Sequence, residues 1–302
     1  MEKGLIRAIV IAAFACACVA PAHAGPKEDA LWARLRARIE RAEQSLDGVL
    51  GLSVKDLKTG ATFEIRPDEP FPQASVIKLA VLYELYRQAD EGKVDLAEVT
   101  RPPASRVLGG GVLQHLGPAV SLTWRDVAVL MMGWSDNAAT NLLIDRVGLE
   151  AVNRRLDSLG LPRTRLRRRM MDLEAARRGE ENVSTPAEMR RLVEVIYAGT
   201  GLSPERARDI RLVTATTKDT PFRKPLPETL VVLDKDGSLE AVRAAAAVVD
   251  LPGRPYSAAI MTTYLRRDED GEALIREVSA ALFETFDRLA RSSDLGRVIS
   301  ER

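Results

Sequence analysis

The stretch Phe71-Pro72-Gln73-Ala74-Ser75-Val76-Ile77-Lys78-Leu79-Ala80 constrains this chain more than any other. A proline turn leads straight into an apolar run, Val76, Leu79, Ala80, Leu82, Tyr83 and Tyr86, spaced at three and four residues. That period belongs to a helix burying one stripe, so a helix is expected from Ser75 to about Glu91. Ser75 and Lys78 stand three apart and share a helical face, where their side chains meet. Ser75 also lies in the first turn, whose unpaired N–H groups favour nearby negative charge. A hydroxyl, an amine and a positive helix end together form a candidate nucleophile site. Taken alone, the pair reads better as an ordinary helix cap and a solvated lysine.

Subtraction narrows the chemistry. Lys3 and Arg7 precede an apolar run from Ala8 to Ala20, and Ala22-His23-Ala24 offers a small-x-small cleavage site. The run is too short to span a membrane and reads as a signal peptide over residues 1–24. Export to the periplasm or the medium is therefore expected. Both cysteines, Cys16 and Cys18, fall inside this segment, leaving residues 25–302 without thiol or disulfide. Lipid attachment there fits poorly, because Phe14 and Cys16 stand where small residues are usual. Removing Lys3 and Arg7 from 44 basic residues, and Glu2 from 43 acidic ones, leaves equal counts. That balance gives no support for a nucleic-acid partner. Of the two histidines only His115 remains, so a histidine-rich metal site is excluded and no cofactor is expected. Lysine becomes the natural base for a serine nucleophile.

Elements follow from pattern. Ala30 to Leu46 reads as an amphipathic helix. Val49–Val54 and Ala61–Ile65 read as strands joined at Lys58-Thr59-Gly60. Thr123 with Asp126 three residues on marks a capping box. Helices are expected at Asn137–Val147 and Glu150–Leu159, with starts at Thr185-Pro186 and Ser203-Pro204. Thr229–Asp234, Val242–Asp250 and Tyr256–Leu265 look like strands, and Glu272–Arg291 like a closing helix. Arg163 to Asn182 has no clean period, and its arginines read as a solvated loop. Strands at both ends with helices between predict an α/β fold. Its antiparallel sheet, residues about 25–80 plus 216–302, is flanked by helices and carries an inserted all-α lobe, about 81–215.

Two further motifs follow in order. Ser135-Asp136-Asn137 lies between two expected helices, and Lys235-Asp236-Gly237-Ser238 ends an expected strand. With Ser75-x-x-Lys78, their order and spacing resemble the penicillin-recognising serine enzymes, most closely the class A β-lactamases. The resemblance covers essentially the whole chain after residue 24. It also includes Gly111-Val112-Leu113-Gln114 and the stretch from Asn182 to Pro186. It implies roles by position. Ser75 would be acylated, Lys78 would take its proton, and Lys235 would be a second cation lowering the Lys78 pKa. Ser135 would pass a proton to the leaving nitrogen, and Asn137 would hold the substrate amide. The N–H groups of Ser75 and Ser238 would form the oxyanion hole. Lys58-Thr59-Gly60 matches the third motif by letters, but it precedes the nucleophile and sits in a hairpin.

Two departures stand out. Asp236 replaces a hydroxyl residue that helps bind the substrate carboxylate, and Arg243 is the candidate compensating cation. The loop after Arg163 lacks the family's water-activating glutamate. Arg169 or Met170 falls there, and Asp172 and Glu174 serve only if the loop is rearranged. Three readings follow: a monomeric hydrolase of β-lactams or related amides, a peptidoglycan D,D-peptidase-like enzyme, and a non-catalytic binding protein on this fold.

Overall fold

The computed structural model describes residues 25–103, 109–216, 219–293 and 295–298; the expected signal peptide lies outside them. In chain order the elements begin with α1 (Pro26–Gln44), β1 (Val49–Asp56), β2 (Thr62–Ile65) and β3 (Phe71–Pro72). A 3₁₀ turn, Ala74–Ile77, leads into α2 (Lys78–Asp90), followed by β4 (Val99–Thr100) and β5 (Leu122–Thr123). Then come α3 (Trp124–Gly133), α4 (Asn137–Val147), α5 (Leu149–Ser158), α6 (Leu173–Arg177), β6 (Val183–Ser184), α7 (Pro186–Ala198) and α8 (Pro204–Thr214). The chain closes with β7 (Val232–Leu239), β8 (Val242–Val249), β9 (Tyr256–Thr263) and α9 (Asp268–Arg291).

The two ends of the chain build one antiparallel sheet in the order β2-β1-β9-β8-β7. Both faces are covered, so its inner strands are buried almost end to end and alternate between two cores. Leu233, Ala244, Ala246, Val248, Ala259 and Met261 pack toward the helices between α2 and α8. Val232, Ala245, Ala247, Val249, Ala258 and Ile260 pack toward α1 and α9. On that second face Tyr256 stacks on Phe286 at 4.4 Å, and Trp32 meets the same ring edge-on at 5.6 Å.

The helix α2 passes through the first core. All its residues from Lys78 to Ala89 are buried except Arg87, as expected for a helix apolar on nearly every side. The site follows from how this helix is docked. Gly51 of β1 lies where a Cβ would meet the Phe71 ring at 2.6 Å, so β1 and β3 approach closely only because that residue is glycine. The backbone of β3 pairs with β6, tying the nucleophile turn to the end of the 163–182 loop.

Several boundaries differ from the sequence expectation. The helix expected from Ser75 begins as a 3₁₀ turn, where residues three apart eclipse, so Ser75 and Lys78 align more directly than in an α-helix. The strand expected to end at Asp234 runs on to Leu239 because β8 pairs with it along its whole length. The first and last helices begin earlier than expected, at Pro26 and Asp268. The arginine loop contains the short helix α6, and Arg168 is buried rather than solvated. Its guanidinium donates to Glu181 Oε1 at 2.7 and 3.1 Å, so the charge is neutralised on the spot. The hairpin turn is as expected: Gly60 takes a positive φ, and Asp56 Oδ1 accepts from the N–H groups of Lys58 and Thr59.

Candidate active site

Lys78 is the centre of the site. It is fully buried, and its Nζ lies 2.6 Å from Ser135 O, 3.0 Å from Ser135 Oγ and 2.9 Å from Asn137 Oδ1. Burial depresses its pKa well below the ordinary lysine value, the positive charge of Lys235 adds to the effect, and Asp136 and Asp236 oppose it. Three oxygen neighbours fit an ammonium ion, but they fit the neutral amine equally well. In the neutral form two N–H groups serve two of these oxygens, and the lone pair is the basic site for an incoming proton. The neutral form agrees with the direction of the pKa shift. Among the described residues no hydrogen bond joins Ser75 Oγ to Lys78 Nζ. Ser75 is partly exposed and stands one 3₁₀ turn before Lys78.

Two residues beside the chemistry have strained backbones. Ala74, preceding the nucleophile, has φ +48°, and Ser135 has φ +51°. Each such conformation costs on the order of 1–3 kcal/mol and persists only where surrounding contacts enforce it. At Ser135 those contacts come from Asp136, which is fully buried. Its carboxylate accepts from Leu113 N at 2.6 Å and, as the cap of α4, from Ala139 N at 2.9 Å. Gly111 fits beneath it only without a side chain, since a Cβ there would lie 2.3 Å from the carboxylate. Asp136 is thus structural. Asn137 is held between Lys78 and Gly109, whose carbonyl accepts from Nδ2 at 2.7 Å.

The edge strand β7 forms the opposite wall. Asp234 accepts from Arg223 Nε at 2.7 Å and Thr220 Oγ1 at 3.0 Å, pinning the strand where Lys235 begins. Lys235 is buried, and its Nζ donates to Asp236 O at 2.7 Å and Asp236 Oδ1 at 3.0 Å. Gly237 abuts the nucleophile turn: a Cβ there would lie 2.8 Å from both Ser75 N and Gln73 O, and 2.9 Å from Ala74 Cβ. Ser238 follows, exposed, on the same edge. Gly237→Val is therefore expected to push β7 off the turn, destabilising the fold by about 1–3 kcal/mol. Acylation should fall at least ~10-fold, read by melting temperature and by the rate of covalent labelling. Unchanged labelling would show that the approach of β7 to Ser75 is not needed.

Arg243 does not supply the compensating cation. Its guanidinium faces α9, 3.2 Å from both Glu272 and Asp268, because the pleat at its strand position directs it there. His115 lies exposed on a 3₁₀ turn and takes no part.

Asp172 and Glu174 of the 163–182 loop are both engaged within the loop itself. Asp172 caps α6, accepting from Ala175 N at 3.0 Å, and the exposed Glu174 pairs with Arg177. The residue brought inward is Met170, only 7% exposed. Asn141 clamps it, donating from Nδ2 to Met170 O at 3.1 Å and accepting from Met170 N at 2.9 Å. Asn141 sits four residues beyond Asn137 on α4, on the same helical face, so the clamp holds Met170 beside the motif. The Asn141 clamp escaped the sequence reading, although the spacing within Asn137-Ala138-Ala139-Thr140-Asn141 carries its signal.

A family described as the beta-lactamase enzyme family matches residues 33–286. The chain belongs to that family. A beta-lactamase from Streptomyces fradiae is 31% identical over 281 residues, covering 89% of this chain and 91% of its own. A beta-lactamase from Streptomyces cellulosae is 32% identical over 257 residues, covering 82% and 81%. Among solved structures, that of PBP-A has a TM-score of 0.76 at 29% identity, covering 84% of this chain and 96% of that one. An ancestral class A β-lactamase has the same TM-score, 0.76, at 27% identity, covering 85% and 100%. The protein is a serine hydrolase of this family, with an antiparallel sheet flanked by helices as the sequence implied. A cleft of about 580 Å³ elsewhere, lined by Arg125, Arg206 and Asp209 among others, offers no rival centre. There Arg125 and Tyr86 already satisfy Asp209.

Proposed function

We propose that the chain opens β-lactams or related acyl donors through an acyl-Ser75 intermediate, and that release of the acyl group is its slow step. The observation carrying this reading is the buried, pKa-depressed amine of Lys78 one turn from Ser75. Lys78 accepts the Ser75 proton as Oγ attacks the carbonyl carbon. The oxyanion forms against the N–H groups of Ser75 and Ser238, an arrangement worth about 3–4 kcal/mol per donor. The proton then passes from Lys78 to Ser135, 3.0 Å away, and on to the leaving nitrogen. Asn137 faces the acyl amide, while Lys235, Asp236 and Gly237 line the far wall. No cofactor or metal enters the scheme.

Slow release follows from Met170. A thioether has no proton to give or take at neutral pH, so nothing at that position activates water. Met170→Glu is expected to speed deacylation roughly 10²-fold, within the range of a positioned general base. Burial would raise the new carboxyl pKa, so the gain should grow as pH rises through that value. Intact-mass decay of the adduct after removal of free ligand measures it. A decay rate unchanged from that of the parent would mean water is activated elsewhere.

A second reading, a peptidoglycan D,D-peptidase, has the same Met170 in its favour. A leucine-to-glutamate variant of PBP-A was solved as an acyl-enzyme complex with penicillin G, which supports acylation by a β-lactam under either reading. Release of D-alanine from a peptide ending in D-Ala-D-Ala would favour the peptidase reading; β-lactam turnover without peptide cleavage would remove it. The residue 1–24 segment supports export, checked by the N-terminus of secreted protein. Among the described residues no helix is long and apolar enough to cross a membrane.

A further inference from the structure

We propose that Asp236 stands in for the substrate anion, so that the site selects acyl donors carrying no carboxylate beside the reacting bond. The inference rests on the acyl-Ser75 reading and adds the substrate class to it. Lys235 is the buried cation on the β7 wall, and residue 236 takes two of its three donors, one through the backbone carbonyl and one through the carboxylate. The Asp236 side chain remains 39% exposed, so its negative charge neutralises Lys235 while staying open at the strand edge. The next cation along the sheet, Arg243, is turned to Glu272 and Asp268.

A ligand carboxylate seated on Lys235 would come within a few ångströms of Asp236. Two like charges at that distance in a partly desolvated cleft disfavour binding by about a hundredfold. An ester or amide in the same place meets no such repulsion, and its N–H, where present, finds an acceptor in Asp236. The rim agrees in character. Trp134, next to Ser135, is 54% exposed and Met171 is 43% exposed. Met171 lies against Gly109, the residue that holds Asn137. Exposed apolar side chains there suit an uncharged acyl group.

Benzylpenicillin and its methyl ester share ring and side chain and differ only in this charge. The test compares their rates of Ser75 acylation, by intact mass, in the parent protein, Asp236→Asn and Asp236→Thr. The parent should react at least ~10-fold faster with the ester. Both variants should raise the ratio of acid to ester rate roughly 10- to 100-fold. Asp236→Asn preserves shape, so a change in that ratio reports charge rather than folding. A parent that prefers the acid, or a ratio unmoved in Asp236→Asn, overturns the assignment while leaving the acyl-serine reading standing. No adduct from either ligand in any of the three proteins overturns both.

Discussion

Ser75→Ala is expected to abolish covalent labelling by a β-lactam and to lower its hydrolysis by roughly 10⁴-fold or more. The hydroxyl is the only nucleophile offered to the cleft by the turn that β3, Gly51 and Gly237 hold in place among the described residues. Alanine keeps the Cβ and the 3₁₀ backbone, so the fold and the oxyanion donors survive. Noncovalent binding of the ligand should therefore persist while covalent chemistry stops. Residual hydrolysis within tenfold of the parent would show that a different group is acylated, or that none is.

Lys78→Met is expected to cost about 10²–10⁴-fold in acylation, the usual range for removing a positioned base. Methionine fills a similar volume in the buried stem, so α2 should stay folded. The parent should also show a distinctive pH profile. The working form of Lys78 is the neutral amine, and burial with Lys235 lowers its pKa from the ordinary value. Acylation therefore rises as pH climbs through that lowered pKa and levels off below the usual lysine range. In Lys78→Met that limb should vanish. A limb persisting in the variant would assign the titration to another group.

The ordered motifs made the architecture readable, because each lies where a helix or strand ends beside the same cleft. Lys78 lies within hydrogen-bond reach of Ser135, and Thr123 and Asp126 form the capping box their letters announce. What stayed hidden depended on distant partners. The continuation of β7 through Asp236, Gly237 and Ser238, weak strand formers, is imposed by pairing with β8. Arg168 is buried because Glu181 lies beside it across the loop, and local pattern gives no sign of that pairing. The turning of Arg243 toward α9 depends on packing between elements far apart in sequence. Met170, one of the two residues that fall where the family's glutamate is missing, is held by Asn141 from 29 residues away.

The most direct measurement is time-resolved intact mass of the protein mixed with a β-lactam, followed by peptide mapping. One equivalent of adduct should appear on the peptide carrying Ser75 and leave far more slowly than it forms. Rapid turnover with no adduct, or an adduct on another residue, would contradict the acyl-Ser75 mechanism with slow release.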